Sequence, residues 1–259
     1  MTPRRRRRPL VAAAIAAVAA ASLAACSSDA ADEAQASAAL ESSRPVTFDN
    51  DAGDTLEGRI FGPEGAAAGV ILAHGYPETQ EIWFPFADRL GDAGFRVLTF
   101  NFRGYCPGGD GGCSEGERSV DATPDDLRSA IGALRDDGIG RIAVVGSSMG
   151  GTATLQVASD EDERLAAVVS LSAPAQFEGL SVGPDTLARV EEPKLFIAGT
   201  GDASAAETAQ TFYDQSLQPK RLEILTTDDH GAAILHGNQG EIARNAILTW
   251  FEVYLTDDG

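Results

Sequence analysis

The sequence is poor in the residues that metal and redox centres need. Its 259 residues include only three cysteines and three histidines, and no two cysteines have the C-x-x-C spacing of a zinc or redox motif. Basic residues are also scarce: 20 lysines and arginines stand against 39 acids, giving a formal net charge of −19 at pH 7. So acidic a chain disfavours nucleic acid and anionic membranes as partners. We expect no cofactor, no metal and no nucleic-acid partner, and we interpret the charge as an aid to solubility.

No apolar run is as long as a typical membrane helix. The longest, residues 10–25, covers about 16 residues and follows a basic segment with five consecutive arginines. It ends in Leu23-Ala24-Ala25-Cys26-Ser27, which resembles the end of a bacterial lipoprotein signal peptide. That resemblance implies removal of residues 1–25, a lipid on Cys26 and export to the outer face of the cell membrane. Ordinary secretory cleavage near the same place is the alternative.

The segment that follows the signal is polar. Residues 26–45 are rich in Ala, Ser, Asp and Glu and contain no aromatic residue, so they have too little apolar surface to build a core. We predict a flexible acidic tether over residues 26–45 and one folded domain over residues 46–259. The membrane would then be contacted through the N-terminal lipid only.

The two remaining cysteines are close together in the sequence. Cys106 and Cys113 flank a glycine-rich loop, and in an exported protein such a pair favours a disulfide. Closing so short a loop stabilises a fold by about 2–3 kcal/mol in the chain-entropy model. Two free thiols are the alternative.

Apolar strands alternate with helices through the predicted domain. Continuously apolar strands in such an alternation are typical of a mostly parallel sheet with helices on both faces, an α/β architecture. The predicted strands are eight: 46–50, 56–61, 70–74, 95–102, 141–145, 166–171, 194–199 and 221–225. The predicted helices are 82–93, 123–137, 152–158, 203–217 and 239–255.

A serine between glycines lies where one of these strands gives way to a helix. The segment Gly146-Ser147-Ser148-Met149-Gly150-Gly151 fits the nucleophile elbow pattern G-x-S-x-G. In so tight a turn, side chains at positions 146 and 150 would collide with neighbouring backbone, and the backbone at Ser148 is strained. A plain Gly/Ser turn is the alternative interpretation.

Serine needs a base, and the base needs an orienting acid. His230 follows the last predicted strand and Asp202 follows the strand before it. Because loops after parallel strands meet at one edge of a sheet, both should approach Ser148 there. His236 is the alternative base and Glu178 the alternative acid.

From residue 46 to 255 the chain resembles the α/β-hydrolase superfamily. The resemblance depends on His74-Gly75-Tyr76-Pro77, Phe102-Arg103-Gly104, the elbow, Gly201-Asp202 and His230-Gly231, in that order. It implies Ser148 as nucleophile, His230 as base and Asp202 as its orienting acid. It also implies an oxyanion hole formed by the backbone N–H groups of Tyr76 and Met149. We interpret His74 as a structural residue that braces the oxyanion turn.

These features predict a lipid-anchored serine hydrolase that acts on small-molecule esters, as a monomer. Relatives with a His-Gly-x-Pro turn often have an aspartate nucleophile and open epoxides, whereas the serine here favours acyl transfer. Residues 174–193 are too few for a large helical cap, so we expect an open site. A prolyl-oligopeptidase-like peptidase and a non-catalytic binding lipoprotein are the alternatives.

Overall fold

The computed structural model describes residues 37–108 and 111–256. The predicted signal peptide and Cys26 lie outside these residues. A compact unit spans Ala39–Gly259.

An eight-stranded sheet forms the centre of this unit. Its strands are β1 Arg44–Asp49, β2 Thr55–Phe61, β3 Ala68–Ala73, β4 Arg96–Phe100, β5 Arg141–Ser147, β6 Ala167–Leu171, β9 Lys194–Gly199 and β10 Lys220–Leu225. They lie in the order β1-β2-β4-β3-β5-β6-β9-β10, and all neighbours from β4 to β10 pair in parallel. β2 is antiparallel to both β1 and β4. The predicted α/β architecture, with eight mostly parallel strands, is confirmed.

Helices cover both faces of the sheet. They are α1 Phe84–Asp92, α2 Thr123–Asp136, α3 Met149–Ala158, α4 Pro184–Arg189, α5 Ala203–Gln215 and α6 Gly240–Tyr254, with 3-10 turns at Gln80–Trp83 and Gly231–Leu235. The apolar side chains form two clusters. One contains residues of α2 to α5, and the other contains residues of α1 and α6. Along β3, Ile71 belongs to the first cluster and Leu72 to the second, so both faces of this strand are buried. Burial on both faces is why the strand sequence is continuously apolar.

The folded part begins earlier than the sequence predicted. Residues 37–42 are helical, and β1 starts at Arg44. Ala39 is fully buried in the apolar cluster that contains residues of α1 and α6. The hydroxyl of Ser42 donates a hydrogen bond to the carbonyl oxygen of Ala39 (2.9 Å). The predicted tether, residues 26–45, was therefore too long at its C-terminal end. Alanine is a strong helix former that can also fill a small core site, and composition alone did not reveal this.

A small hairpin was also missed. Between β6 and β9 the chain forms the two-residue strands β7 (Gln176–Phe177) and β8 (Leu180–Ser181), and then α4. So short a connection contains no large helical cap. Within residues 37–108 and 111–256, no helix is both long enough and apolar enough to span a membrane.

Candidate active site

The elbow has the geometry that its glycines predicted. β5 ends at Ser147 and α3 begins at Met149, and Ser148 between them has φ 48° and ψ −113°, in the strained left-handed region. A Cβ at Gly146 would lie 2.3 Å from the carbonyl oxygen of Gly150. One at Gly150 would lie 2.5 Å from the carbonyl oxygen of Ala73. Glycine is therefore required on both sides of a half-buried Ser148.

The structure brings Ser148, His230 and Asp202 together. His230 Nε2 lies 2.9 Å from Ser148 Oγ, and His230 Nδ1 is hydrogen-bonded to Asp202 Oδ2. His230 follows β10 and Asp202 follows β9, so the parallel sheet places both loops at the edge where β5 ends.

Asp202 is directed at the imidazole instead of capping its helix. It occupies the N-cap position of α5, where an aspartate commonly accepts a hydrogen bond from the helix backbone, yet its side chain makes no such bond. Its side chain is 16% exposed, compared with 49% for that of His230. The carboxylate is thus largely sheltered from water and fixes the orientation of a more accessible ring.

The two alternative residues lie in other environments. His236 Nε2 donates a hydrogen bond to the carbonyl oxygen of Ile82 (2.8 Å). Glu178 is exposed in the β7–β8 turn, at a φ of 41°. Neither side chain is hydrogen-bonded to Ser148 or His230 among the described residues.

His74 is buried directly behind the predicted oxyanion turn. Its Nδ1–H donates to the carbonyl oxygen of Gly75 (2.8 Å), and its Nε2 accepts the backbone N–H of Phe102 (3.1 Å). The pKa of His74 is lowered to about 4, mainly by complete burial. The hydrogen bond to Gly75 opposes this shift, and the positive charge of Arg118 adds to it. The ring is therefore neutral near pH 7, and it joins the turn after β3 to the loop after β4.

The turn that contains Tyr76 lies beside Ser148. A Cβ at Gly75 would be 3.2 Å from Ser148 Cβ, so the two backbones approach closely. Met149 is the first residue of α3, where backbone N–H groups have no partner within the helix. The two residues that were predicted to form an oxyanion hole thus flank the serine. Their role as donors stays a prediction.

Sequence reasoning missed two polar residues of this region. Glu78 Oε2 accepts the backbone N–H of Gly75 (2.9 Å) and the hydroxyl of Ser147 (3.1 Å). Ser147 Oγ also accepts the backbone N–H of Ala232 (2.9 Å). Ser147 fills a position that the elbow pattern leaves free, so the motif gave no signal for it. Glu78 follows the His-Gly-x-Pro turn directly, and this proximity was the available clue.

Aromatic side chains and one arginine form a wall next to this turn. The ring of Tyr76 lies 5.7 Å from that of Phe177 in β7 and 6.5 Å from that of Tyr105. The guanidinium of Arg118 lies 4.0 Å above the Tyr105 ring, and the Tyr105 hydroxyl lies 3.7 Å from Met149 Sδ. Burial raises the pKa of Tyr105 to about 12, so its hydroxyl stays protonated at physiological pH.

The structure contains the predicted disulfide between Cys106 and Cys113. The loop that it closes is fixed to the fold through Gly111. The carbonyl oxygen of Gly111 accepts hydrogen bonds from Asn101 Nδ2 (2.6 Å) and Gln80 Nε2 (2.9 Å). This links the loop to the end of β4 and to the 3-10 turn before α1.

Comparison with known proteins agrees with the architecture. The family model for the alpha/beta hydrolase fold matches residues 70–189. Among solved structures, the esterase Pf2001 of Pyrococcus furiosus superposes with a TM-score of 0.70 at 21% identity, covering 82% of this chain and 91% of that one. The dienelactone hydrolase of Anabaena variabilis superposes with a TM-score of 0.66 at 22% identity, covering 82% and 98%. The family model and the solved structures therefore agree that this chain has an α/β-hydrolase fold.

Sequence similarity identifies an uncharacterized protein and an epoxide hydrolase as relatives. The uncharacterized protein YfhR of Escherichia coli O157:H7 is 27% identical over 235 residues, which are 81% of this chain and 80% of that protein. Epoxide hydrolase A of Mycobacterium tuberculosis is 37% identical over 114 residues, which are 43% of this chain but only 34% of that enzyme. The second similarity covers part of a longer protein and does not assign its reaction to this chain.

Proposed function

We propose that this protein is a serine hydrolase that cleaves carboxylic esters through an acyl-enzyme. The observation that carries the proposal is the 2.9 Å approach of Ser148 Oγ to His230 Nε2, with Asp202 bonded to the other ring nitrogen. A serine, an imidazole and a carboxylate in this relation can generate a nucleophile at neutral pH.

The reaction has two halves. Ser148 Oγ attacks the ester carbonyl while its proton passes to His230 Nε2, and the imidazolium then protonates the departing alcohol. Water next attacks the acyl-serine, giving its proton to the same nitrogen, and Ser148 regains a proton as the acid is released. Asp202 stabilises the charged ring in both halves. The backbone N–H groups of Tyr76 and Met149 would hold the oxyanion of each tetrahedral intermediate.

The nucleophile favours ester over epoxide chemistry. Epoxide opening in relatives with a His-Gly-x-Pro turn proceeds through a carboxylate nucleophile, and position 148 here is serine. A serine alkoxide attacks a carbonyl carbon and forms an ester that water hydrolyses. The esterases among the similar folds add support at the level of architecture.

Replacing the nucleophile tests the proposal. Ser148→Ala should lower kcat for 4-nitrophenyl acetate by roughly 10⁴-fold or more and abolish labelling by a fluorophosphonate probe. Ser172→Ala is a matched control, because Ser172 is also a non-glycine residue at positive φ (49°) and its buried hydroxyl has no hydrogen-bond partner among the described residues. The control should keep wild-type turnover. Turnover that survives in Ser148→Ala would refute the assignment, and no adduct in the wild type would favour a non-catalytic binding protein.

We also propose that the enzyme is exported and anchored by a lipid on Cys26, on the basis of the signal-like sequence. In a bacterium that processes lipoproteins, the wild type should fractionate with membranes and enter a detergent phase. Cys26→Ser should move the protein to the aqueous fraction, because the variant lacks the cysteine that carries the lipid, and this lipid is the only membrane contact that we propose. Equal membrane association of both proteins would contradict the anchor.

A further inference from the structure

We propose that Glu78 and Ser147 are positioning residues that hold the oxyanion turn and the His230 loop against the nucleophile elbow. This inference rests on the proposed function. We call the pair the Glu78–Ser147 bridge. It connects three segments that are far apart in sequence: the turn after β3, the end of β5 and the 3-10 turn after β10.

Ser147 is the centre of the bridge. It is the last residue of β5, directly before Ser148, and its side chain is fully buried. Its hydroxyl donates to Glu78 Oε2 (3.1 Å) and accepts from the backbone N–H of Ala232 (2.9 Å). One buried hydroxyl thus donates a hydrogen bond to the turn after β3 and accepts one from the 3-10 turn after β10.

Glu78 connects Ser147 to the oxyanion turn. One oxygen atom, Oε2, accepts both the Ser147 hydroxyl and the backbone N–H of Gly75. Gly75 precedes Tyr76, whose amide is the proposed oxyanion donor. The planar peptide groups that carry these two amides meet at the Gly75 Cα, so only two backbone dihedral angles separate them. Fixing the amide of Gly75 therefore limits the directions open to the amide of Tyr76.

The other end of the bridge fixes the base. Ala232 is two residues after His230, and Gly231 between them packs so closely that a Cβ there would lie 2.3 Å from Ser147 Oγ. His230 therefore begins a backbone segment that rests on Ser147. A displacement of about 1 Å in a reacting group can lower a rate about 100-fold, so this support has catalytic weight. The hydrogen bonds of the bridge go between Glu78 and Ser147 and to the backbone amides of Gly75 and Ala232, which is the pattern of positioning residues.

Three variants separate hydrogen bonding from charge. Glu78→Ala and Ser147→Ala should each lower kcat for 4-nitrophenyl acetate by about tenfold to 100-fold, with KM within about threefold. Glu78→Gln should stay within about threefold of wild-type kcat, because one carbonyl oxygen in the place of Oε2 can accept both bonds. Since both residues act through one bridge, the double variant should be little slower than the slower single variant.

The matched control is Ser216→Ala. Ser216 is a buried serine at the far end of α5 from Asp202, and its hydroxyl donates one bond to the carbonyl oxygen of Phe212 (2.7 Å). Ser216→Ala should lower the free energy of unfolding about as much as Ser147→Ala does, and it should retain the wild-type kcat. A kcat loss in Ser216→Ala as large as that in Ser147→Ala would make the effect one of general destabilisation and overturn the proposal.

Hydrogen exchange of the Ala232 amide gives a readout that does not depend on activity. That amide should exchange at least about tenfold faster in Glu78→Ala than in wild type, although Glu78 does not touch it, and should stay protected in Glu78→Gln. Unchanged exchange in Glu78→Ala, or equal kcat losses in Glu78→Ala and Glu78→Gln, would overturn the bridge. If the wild type hydrolyses no ester while the exchange result holds, the proposed function fails and the bridge stands.

Discussion

At the scale of single residues, the three histidines differ in what their ring nitrogens contact. His230 faces a hydroxyl and a carboxylate, His236 donates to a backbone carbonyl at the surface, and His74 is buried between two backbone groups. The burial of His74 keeps its ring neutral at pH values well below the usual pKa of histidine. Its contribution is therefore to stability, and pH should reveal it.

His74 should make the fold sensitive to mild acid. Its pKa is about 4 when folded and 6.5 when exposed, so between these values the unfolded chain binds a proton that the folded chain refuses. The contribution of neutral His74 to the free energy of unfolding is fully present above pH 6.5. It falls by up to about 3 kcal/mol as the pH drops towards 4. In urea unfolding at a series of pH values, His74→Asn should reduce the pH dependence of the unfolding free energy by about one bound proton. Equal slopes in wild type and His74→Asn would contradict the argument.

Residue identities were predictable where a motif or a topological rule applied. Ser148 was marked by its glycines, and the position of Asp202 and His230 after parallel strands predicted that they would meet at one edge. The contacts of Glu78 and Ser147 were not predictable, because they depend on side-chain directions in three loops. No sequence period reports such directions.

At the scale of elements, the elbow is a place where backbone approaches backbone. The Cβ that a larger residue would add at position 150 meets carbonyl oxygens of Ala73 and His74, at 2.5 and 2.6 Å. These atoms belong to β3 and to the residue after it, so they cannot rotate away as a side chain would. Helix α3 can therefore start so close to the sheet only with glycine at this position.

Two glycine variants test this close contact. Gly150→Ala should destabilise the fold by about 1–3 kcal/mol, because an added methyl overpacks a rigid site, and should also reduce kcat by displacing the elbow. Gly132→Ala is the control: Gly132 lies within α2 with nothing within 4 Å of its added Cβ. It should stabilise by about 0.5–1 kcal/mol, since alanine favours helix. Urea unfolding that ranks the two variants in the opposite order would disprove the packing argument.

The strands that could be predicted from the sequence are more deeply buried than the two strands that could not. The central strands are covered on both faces, and this produces apolar runs that stand out from their surroundings. Strands β7 and β8 have two residues each and include exposed Gln176 and Ser181. No alternation can be recognised over so short a span, so a segment predicted only as too short for a cap turned out to contain a hairpin.

At the scale of the whole molecule, the segment that could carry a cap is short. The chain between β6 and β9 carries only the hairpin and the six-residue α4. Phe177 of the hairpin touches the exposed ring of Tyr76, so the hairpin lies against the turn that is predicted to form the oxyanion hole. Within the part of the chain that the structure describes, this connection contains no large helical cap. His230, with half of its side chain exposed, borders open solvent.

This openness should appear as a preference for short acyl groups. A long alkyl chain gains rate only where apolar walls remove it from water, at about 0.8 kcal/mol for each buried methylene. An uncapped site provides little such burial beyond the first few carbons. We therefore expect kcat/KM for 4-nitrophenyl butyrate to exceed that for the laurate by at least about tenfold, measured below the concentration at which the laurate aggregates. Replacing Phe177 by Ala should change the ratio by less than about threefold, because one ring cannot form a channel. A kcat/KM that rises steadily with chain length would show that a long apolar cleft exists and that the open-site interpretation is wrong.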